Sequence, residues 1–150
     1  MSDRQCWATS PELFSAFDRE FHFDLDVCAD ASNTKCAKFY DEAQDGLKQP
    51  WACRAAWCNP GFSNVEPWIL KAIKEYGSYD YAVILAPSSH SAWYRLAFET
   101  AWQIRQLWPR PNFLPPAGIK ASSNARDIIA IIYASRYRPP CKVYPWSWKT

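Results

Sequence analysis

Two apolar runs constrain this chain most: residues 81–86 (Tyr-Ala-Val-Ile-Leu-Ala) and residues 127–134 (Asp-Ile-Ile-Ala-Ile-Ile-Tyr-Ala). Both fall short of the ~18 apolar residues that a membrane span needs. Neither alternates apolar with polar residues, as a half-exposed strand would. They predict strands buried on both faces. Such strands need a covering layer on each side, and amphipathic helical segments supply it.

Residues 9–20 predict a helix. Thr9 or Ser10 can cap it, Pro11 suits its first turn, and Leu13, Phe14, Phe17 and Phe21 form a stripe at helical spacing. Residues 65–76 predict another, with Gly77 as its stop. A third starts from Ser88 or Ser89 and runs to about Phe98. Strands are expected at 21–28, 54–58, 81–86, 103–108 and 127–134, with a brief one near 38–40. In the first of these, Phe21, Phe23, Leu25 and Val27 would face one way, and His22, Asp24, Asp26 and Cys28 the other. Residues 109–123 hold four prolines and read as a loop. Alternating strands and helices predict an α/β fold with a largely parallel sheet flanked by helices. Ligands then sit at the carboxyl ends of strands, where Asp26, Asn59 and Pro87 would all fall.

The chain has 150 residues without repeats or a Gly/Ser linker, so one domain over 1–150 is expected. No apolar span and no apolar leader stretch is seen, which predicts a cytoplasmic protein with no membrane partner and reduced thiols. Only four glycines occur, and no two lie within six residues of each other. That excludes Walker-type and G-x-G-x-x-G loops. The net charge of +2 is uneven. Residues 1–90 hold 8 Lys/Arg and 13 Asp/Glu (−5), whereas residues 91–150 hold 9 and 2 (+7). A polyanionic partner suits the second half, although a basic face is often only a solvated surface.

The residues that carry chemistry are Asn59-Pro60-Gly61-Phe62, between a predicted strand and a predicted helix. Read blandly, Asn-Pro-Gly is a turn. Read chemically, the tetrapeptide is close to the Asn/Asp-Pro-Pro-aromatic signature of amino-group methyltransferases. The amine of adenine is a poor nucleophile because its lone pair is delocalised into the ring. The Asn59 amide oxygen and the Pro60 carbonyl can accept its two hydrogens and stabilise positive charge developing on nitrogen. Phe62 can stack on a base rotated out of the duplex.

Further segments, in order, extend the likeness: Trp7-Ala8-Thr9-Ser10-Pro11, Phe21 to Ala29, Asn33 to Cys36, Asp45-Gly46-Leu47, Trp57-Cys58-Asn59-Pro60, Ala82 to Pro87 and Ser122 to Asp127. Together they resemble the small phage-type DNA N-6-adenine methyltransferase (phage Dam) family. The resemblance implies a compact Rossmann-like methyltransferase core that uses S-adenosylmethionine on DNA. It puts Thr9, Pro11, Asp26, Ala29 and Asp45 around the cofactor, and Asn59, Pro60 and Phe62 on the target adenine. Residues around 120–126 would face nucleic acid, and Arg110, Lys120, Asn124 and Arg126 are the candidates. The chain departs from the pattern at Gly61, which replaces the second proline, and in having Asp-Val-Cys-Ala where a glycine-rich cofactor loop is usual.

Other constellations carry less. Cys28, Cys36, Cys53 and Cys58 lack C-x-x-C spacing, so no metal site is expected. Asp24 and Asp26 share a predicted strand face and suit a solvated pair or a cofactor-binding acid. His22 and His90 have no serine or cysteine motif to partner them. Trp146 and Trp148, in a basic tail, can pack on the domain, stack on a base or form a subunit contact, in that order. The leading function is therefore DNA adenine methylation with short or relaxed sequence specificity, in the host cytoplasm if the chain is phage-encoded. Loops or a second subunit (a homodimer) would supply the specificity. The alternatives are an inactive relative that binds DNA or a host defence protein, and an RNA or protein methyltransferase.

Overall fold

The computed structural model describes residues 8–115, 118, 120, 126–137 and 139–149. Its strands are β1 (Leu25–Asp26), β2 (Cys53–Cys58), β3 (Tyr79–Pro87), β4 (Gln103–Trp108), β5 (Ile128–Ala134) and β6 (Lys142–Ser147). Its helices are α1 (Pro11–Phe21), α2 (Glu66–Lys74) and α3 (Ala92–Thr100). The strands form one sheet in the order β1-β2-β3-β5-β4-β6. β1, β2 and β3 are parallel neighbours, and so are β4 and β6; β5 runs antiparallel to both β3 and β4. The reversal has a simple cause. Among the described residues no helix crosses between β4 and β5, so β5 starts at the end of the sheet where β4 finishes. The architecture is α/β and consistent with a Rossmann-like methyltransferase core.

Both apolar runs lie where their composition requires. All seven residues of β5 are buried, as are the last six of β3. α1 covers one face, packing Leu13, Phe17 and Phe21 into a cluster with Trp57, Val83, Leu85 and the β5 residues Ile128, Ala130 and Ile132. α2 covers the other, with Trp68, Ile69 and Ala72 on Ala56, Ala82 and Ile84. Each fully buried large side chain contributes about 1.5–3 kcal/mol. α1 is also held by an ion pair. Arg105 of β4 donates Nη1 to Glu20 Oε1 at 2.8 Å and Nη2 to Oε2 at 2.7 Å. The guanidinium lies 4.8 Å from the Trp146 ring centre, and its Nε donates to Tyr144 Oη at 2.7 Å.

Three sequence expectations change. The strand predicted over 21–28 shrinks to two residues. Phe21 ends α1, and His22 adopts a left-handed conformation (φ 56°) while its N–H donates to the Asp18 carbonyl. Asp24 and Asp26 consequently do not share a face. Asp24 is exposed, and its carboxylate accepts the Arg54 and Ala55 N–H groups, whereas Asp26 is buried. The third helix starts at Ala92, so His90 precedes it, and Ser89 Oγ accepts the Ser91 N–H instead of capping from position 88 or 89. Finally, the tail forms β6, an edge strand that the sequence pattern does not reveal. Trp148 is buried beside it with Nε1 donating to the Pro109 carbonyl, and Trp146 packs on Phe17 at 4.6 Å.

Candidate active site

The parallel strands β1, β2 and β3 end together at one edge of the sheet, and the candidate residues collect there. β1 ends at Asp26, which is 3% exposed. Its carboxylate accepts the Lys35 N–H at 3.0 Å and the Cys28 N–H at 3.4 Å. The neighbouring backbone completes the turn: Val27 N–H donates to the Trp57 carbonyl and Ala29 N–H to the Tyr40 carbonyl. Asp26 thus fixes the path of the chain beyond β1, a task a glycine-rich loop would perform by backbone freedom. Burial lowers the Lys35 pKa, and the Asp26 charge opposes that effect. Burial raises the Cys36 thiol to about 12, with further upward pressure from Asp26.

Asp45 and Gly46 close this turn from the other side. Asp45 is left-handed (φ 59°), and its Oδ1 accepts the Leu47 N–H at 3.0 Å. Gly46 is pressed onto the end of β1: a Cβ there would stand 1.9 Å from the Val27 carbonyl oxygen. Its own carbonyl accepts from Trp51 Nε1 at 2.9 Å. Glycine is required here for close approach, and this contact seats Asp45 beside the Asp26 turn.

β2 delivers the tetrapeptide. Asn59 is half-buried, Pro60 and Gly61 are buried, and Phe62 is half-buried. Asn59 Nδ2 donates to Thr9 Oγ1 at 3.0 Å. Ser10, not Thr9, caps α1, accepting the Leu13 N–H, so the buried Thr9 hydroxyl is available to Asn59. With Nδ2 engaged, the Asn59 Oδ1 is left as an acceptor. Pro11, at the first position of α1, is exposed. Phe62 meets Phe113 edge-on at 5.4 Å, and Leu114 pairs with Ala8 through two backbone hydrogen bonds of 2.8 Å. The segment after β4 therefore reaches back over the sheet edge to the tetrapeptide.

The candidate nucleic-acid residues divide. Arg110 follows β4 and donates to Asp127 Oδ1 at 2.7 Å, an exposed pair at the entrance to β5. Arg126 and Lys120 are exposed. Asn124 lies outside the described residues. Because β5 is antiparallel, Arg126 and Asp127 stand at the same edge as Asn59. Among the described residues, no three His, Cys, Asp or Glu side chains converge as metal ligands, and no helix is long and apolar enough to cross a membrane.

The model of the DNA N-6-adenine-methyltransferase (Dam) family matches residues 1–145. This chain belongs to the Dam family. Haemophilus phage HP1 (strain HP1c1) has a DNA N-6-adenine-methyltransferase 33% identical over 107 residues, 69% of this chain and 62% of that protein. The enzyme of the same description from Escherichia phage T1 is 30% identical over 108 residues, 70% of this chain and 44% of that one. The matched region spans about half the length of these relatives.

For this Dam-family chain, the residues that sequence reasoning missed are those that buttress the site. Phe113 and Leu114 belong to a proline-rich stretch that reads only as loop, and their aromatic–apolar pairing was the available signal. Lys35 contributes through its backbone N–H, which no side-chain motif reveals.

Proposed function

We propose that this protein transfers a methyl group from S-adenosylmethionine to the exocyclic amine of adenine in DNA. The observation that carries the reading is the Asn59–Thr9 hydrogen bond. It orients the side-chain amide so that Oδ1 accepts one amine hydrogen of the target, while the Pro60 carbonyl accepts the other. The two acceptors favour a tetrahedral nitrogen whose lone pair is free to attack. Phe62, supported on Phe113, offers a ring to the flipped base.

The residues at the end of β1 fit a cationic methyl donor with ribose hydroxyls: the Asp26 and Asp45 carboxylates stand with the Thr9 hydroxyl at one sheet edge. Asp26 would hold the loop against the donor, Ala29 and Pro11 would line it, and Asp45 would take a polar group. The bound donor supplies an electrophilic methyl on a positively charged sulfur. Arg110, Lys120, Asn124 and Arg126 would meet the DNA phosphates, giving binding that weakens with salt. The chain works as a single domain on short or relaxed sites in the cytoplasm, that of a host cell if it is phage-encoded.

Labelled methyl donor and adenine-containing DNA test the reading. Asn59→Ala should lower turnover by about 10²–10³ while donor binding persists. Transfer that survives this substitution removes Asn59 from the mechanism. Tight DNA binding by the wild type without any transfer would favour an inactive relative.

A further inference from the structure

Trp108 is the most exposed large apolar side chain among the described residues, at 69%. Tryptophan usually hides most of its surface, so an indole left in water asks for a partner. Its backbone is not loose. Trp108 closes β4, paired with Ser147 of β6, and its carbonyl accepts the Trp148 N–H at 3.3 Å. The next carbonyl, that of Pro109, accepts Trp148 Nε1 at 2.6 Å. A rigid platform thus carries the ring out of the fold.

The place is informative. β4 finishes at the same sheet edge as β2, with β3 and β5 between them. Three strand spacings separate them, about 14 Å. Residues 109–114 bridge that distance, running from Trp108 to Phe113 on Phe62 and Leu114 on Ala8. The exposed cations Lys120 and Arg126 belong to the connection between β4 and β5, in the half of the chain that carries +7. An aromatic face at a cationic edge suits a nucleobase on a polyanionic backbone.

Resting on the proposed DNA methylation, we infer that Trp108 is a DNA-positioning residue. Its indole inserts at a base step about four from the target adenine, taking ~3.4 Å per step along a strand, and stacks on the base face that this opens. It holds the duplex in register over the Asn59 edge and takes no part in methyl transfer itself.

The test compares wild type with Trp108→Leu and Trp108→Phe on a random-sequence duplex rich in adenine. Methyl transfer is measured against DNA concentration at saturating donor, with donor affinity and melting temperature measured alongside. Leucine keeps apolar bulk but has no π face. Trp108→Leu should raise KM for DNA about tenfold, in line with the worth of one stacked base, and leave kcat, donor affinity and melting temperature unchanged. Trp108→Phe should restore most of the loss, and the loss should persist at higher salt. A KM within about twofold of wild type for the leucine variant, or equal recovery by leucine and phenylalanine, overturns the inference. A wild type that methylates no DNA overturns the underlying reading and this inference with it, which the wild-type control alone decides.

Discussion

Asn59 and Thr9, fifty residues apart in the chain, are joined by one 3.0 Å hydrogen bond at the sheet edge. Thr9 is 2% exposed, so water cannot replace its hydroxyl without rearrangement. Thr9→Val keeps the volume and removes the acceptor. We expect a loss of about 1–3 kcal/mol in transition-state stabilisation, seen as a fall in kcat of about one to two orders of magnitude. Thr9→Ser should retain most of the activity.

Gly46 has no room for a methyl group, because a Cβ would meet the Val27 carbonyl oxygen at 1.9 Å. The obstruction is backbone, and β1 cannot retreat without breaking its pairing with β2. Gly46→Ala should destabilise the fold by about 1–3 kcal/mol, read from the midpoint of denaturant unfolding. Donor affinity should fall too, because Asp45 is displaced.

Gly61 is a different case. Its φ lies outside the left-handed region, and its N–H makes no hydrogen bond among the described residues. Glycine's special conformations are therefore not in use there. Gly61→Pro, which rebuilds the Asn-Pro-Pro-aromatic signature, removes no hydrogen-bond donor in use among the described residues and should leave the protein folded. Thermal melting checks this, and methyl transfer should be retained.

Cys36 and Cys53 give the fold an alkaline limit. Burial, aided by nearby carboxylates, raises both thiols to about 12 from an ordinary 9.0. The folded state thus holds protons that the unfolded chain releases, and stability is lost as pH rises from 9.0 toward about 12. Unfolding free energy should decline over that window, and Cys53→Ala should flatten the decline. Near pH ~8.5 both thiols should alkylate more slowly than in the denatured chain.

Much of the fold could be read directly. Residues 103–108 coincide with β4, and the two apolar runs became β3 and β5 because central strands leave no room for polar residues. Residues 21–28 misled because Phe21 fits both a helical stripe from Phe17 and an alternation through Phe23. The choice is made by Asp24, whose carboxylate holds the backbone at Arg54 and Ala55, about thirty residues away. β6 was hidden by Pro145, which suits an edge strand but disguises it as a tail. At the site, the tetrapeptide was legible through its chemistry, and Thr9 and the Asp45-Gly46 segment through the resemblance, whereas the contacts that support it were not. Thr9, Phe113 and Gly46 act through contacts between distant segments, and single residues do not announce them.

Pro145 has one more consequence. A sheet with open sides invites another copy to continue its ladder. Here β6 lacks a donor at Pro145, opens with Lys142 and is followed by Lys149. On the far side, β1 is two residues long and already bridged by Phe39. Both margins discourage strand-to-strand growth. Any pairing of two copies is thereby left to side-chain surfaces.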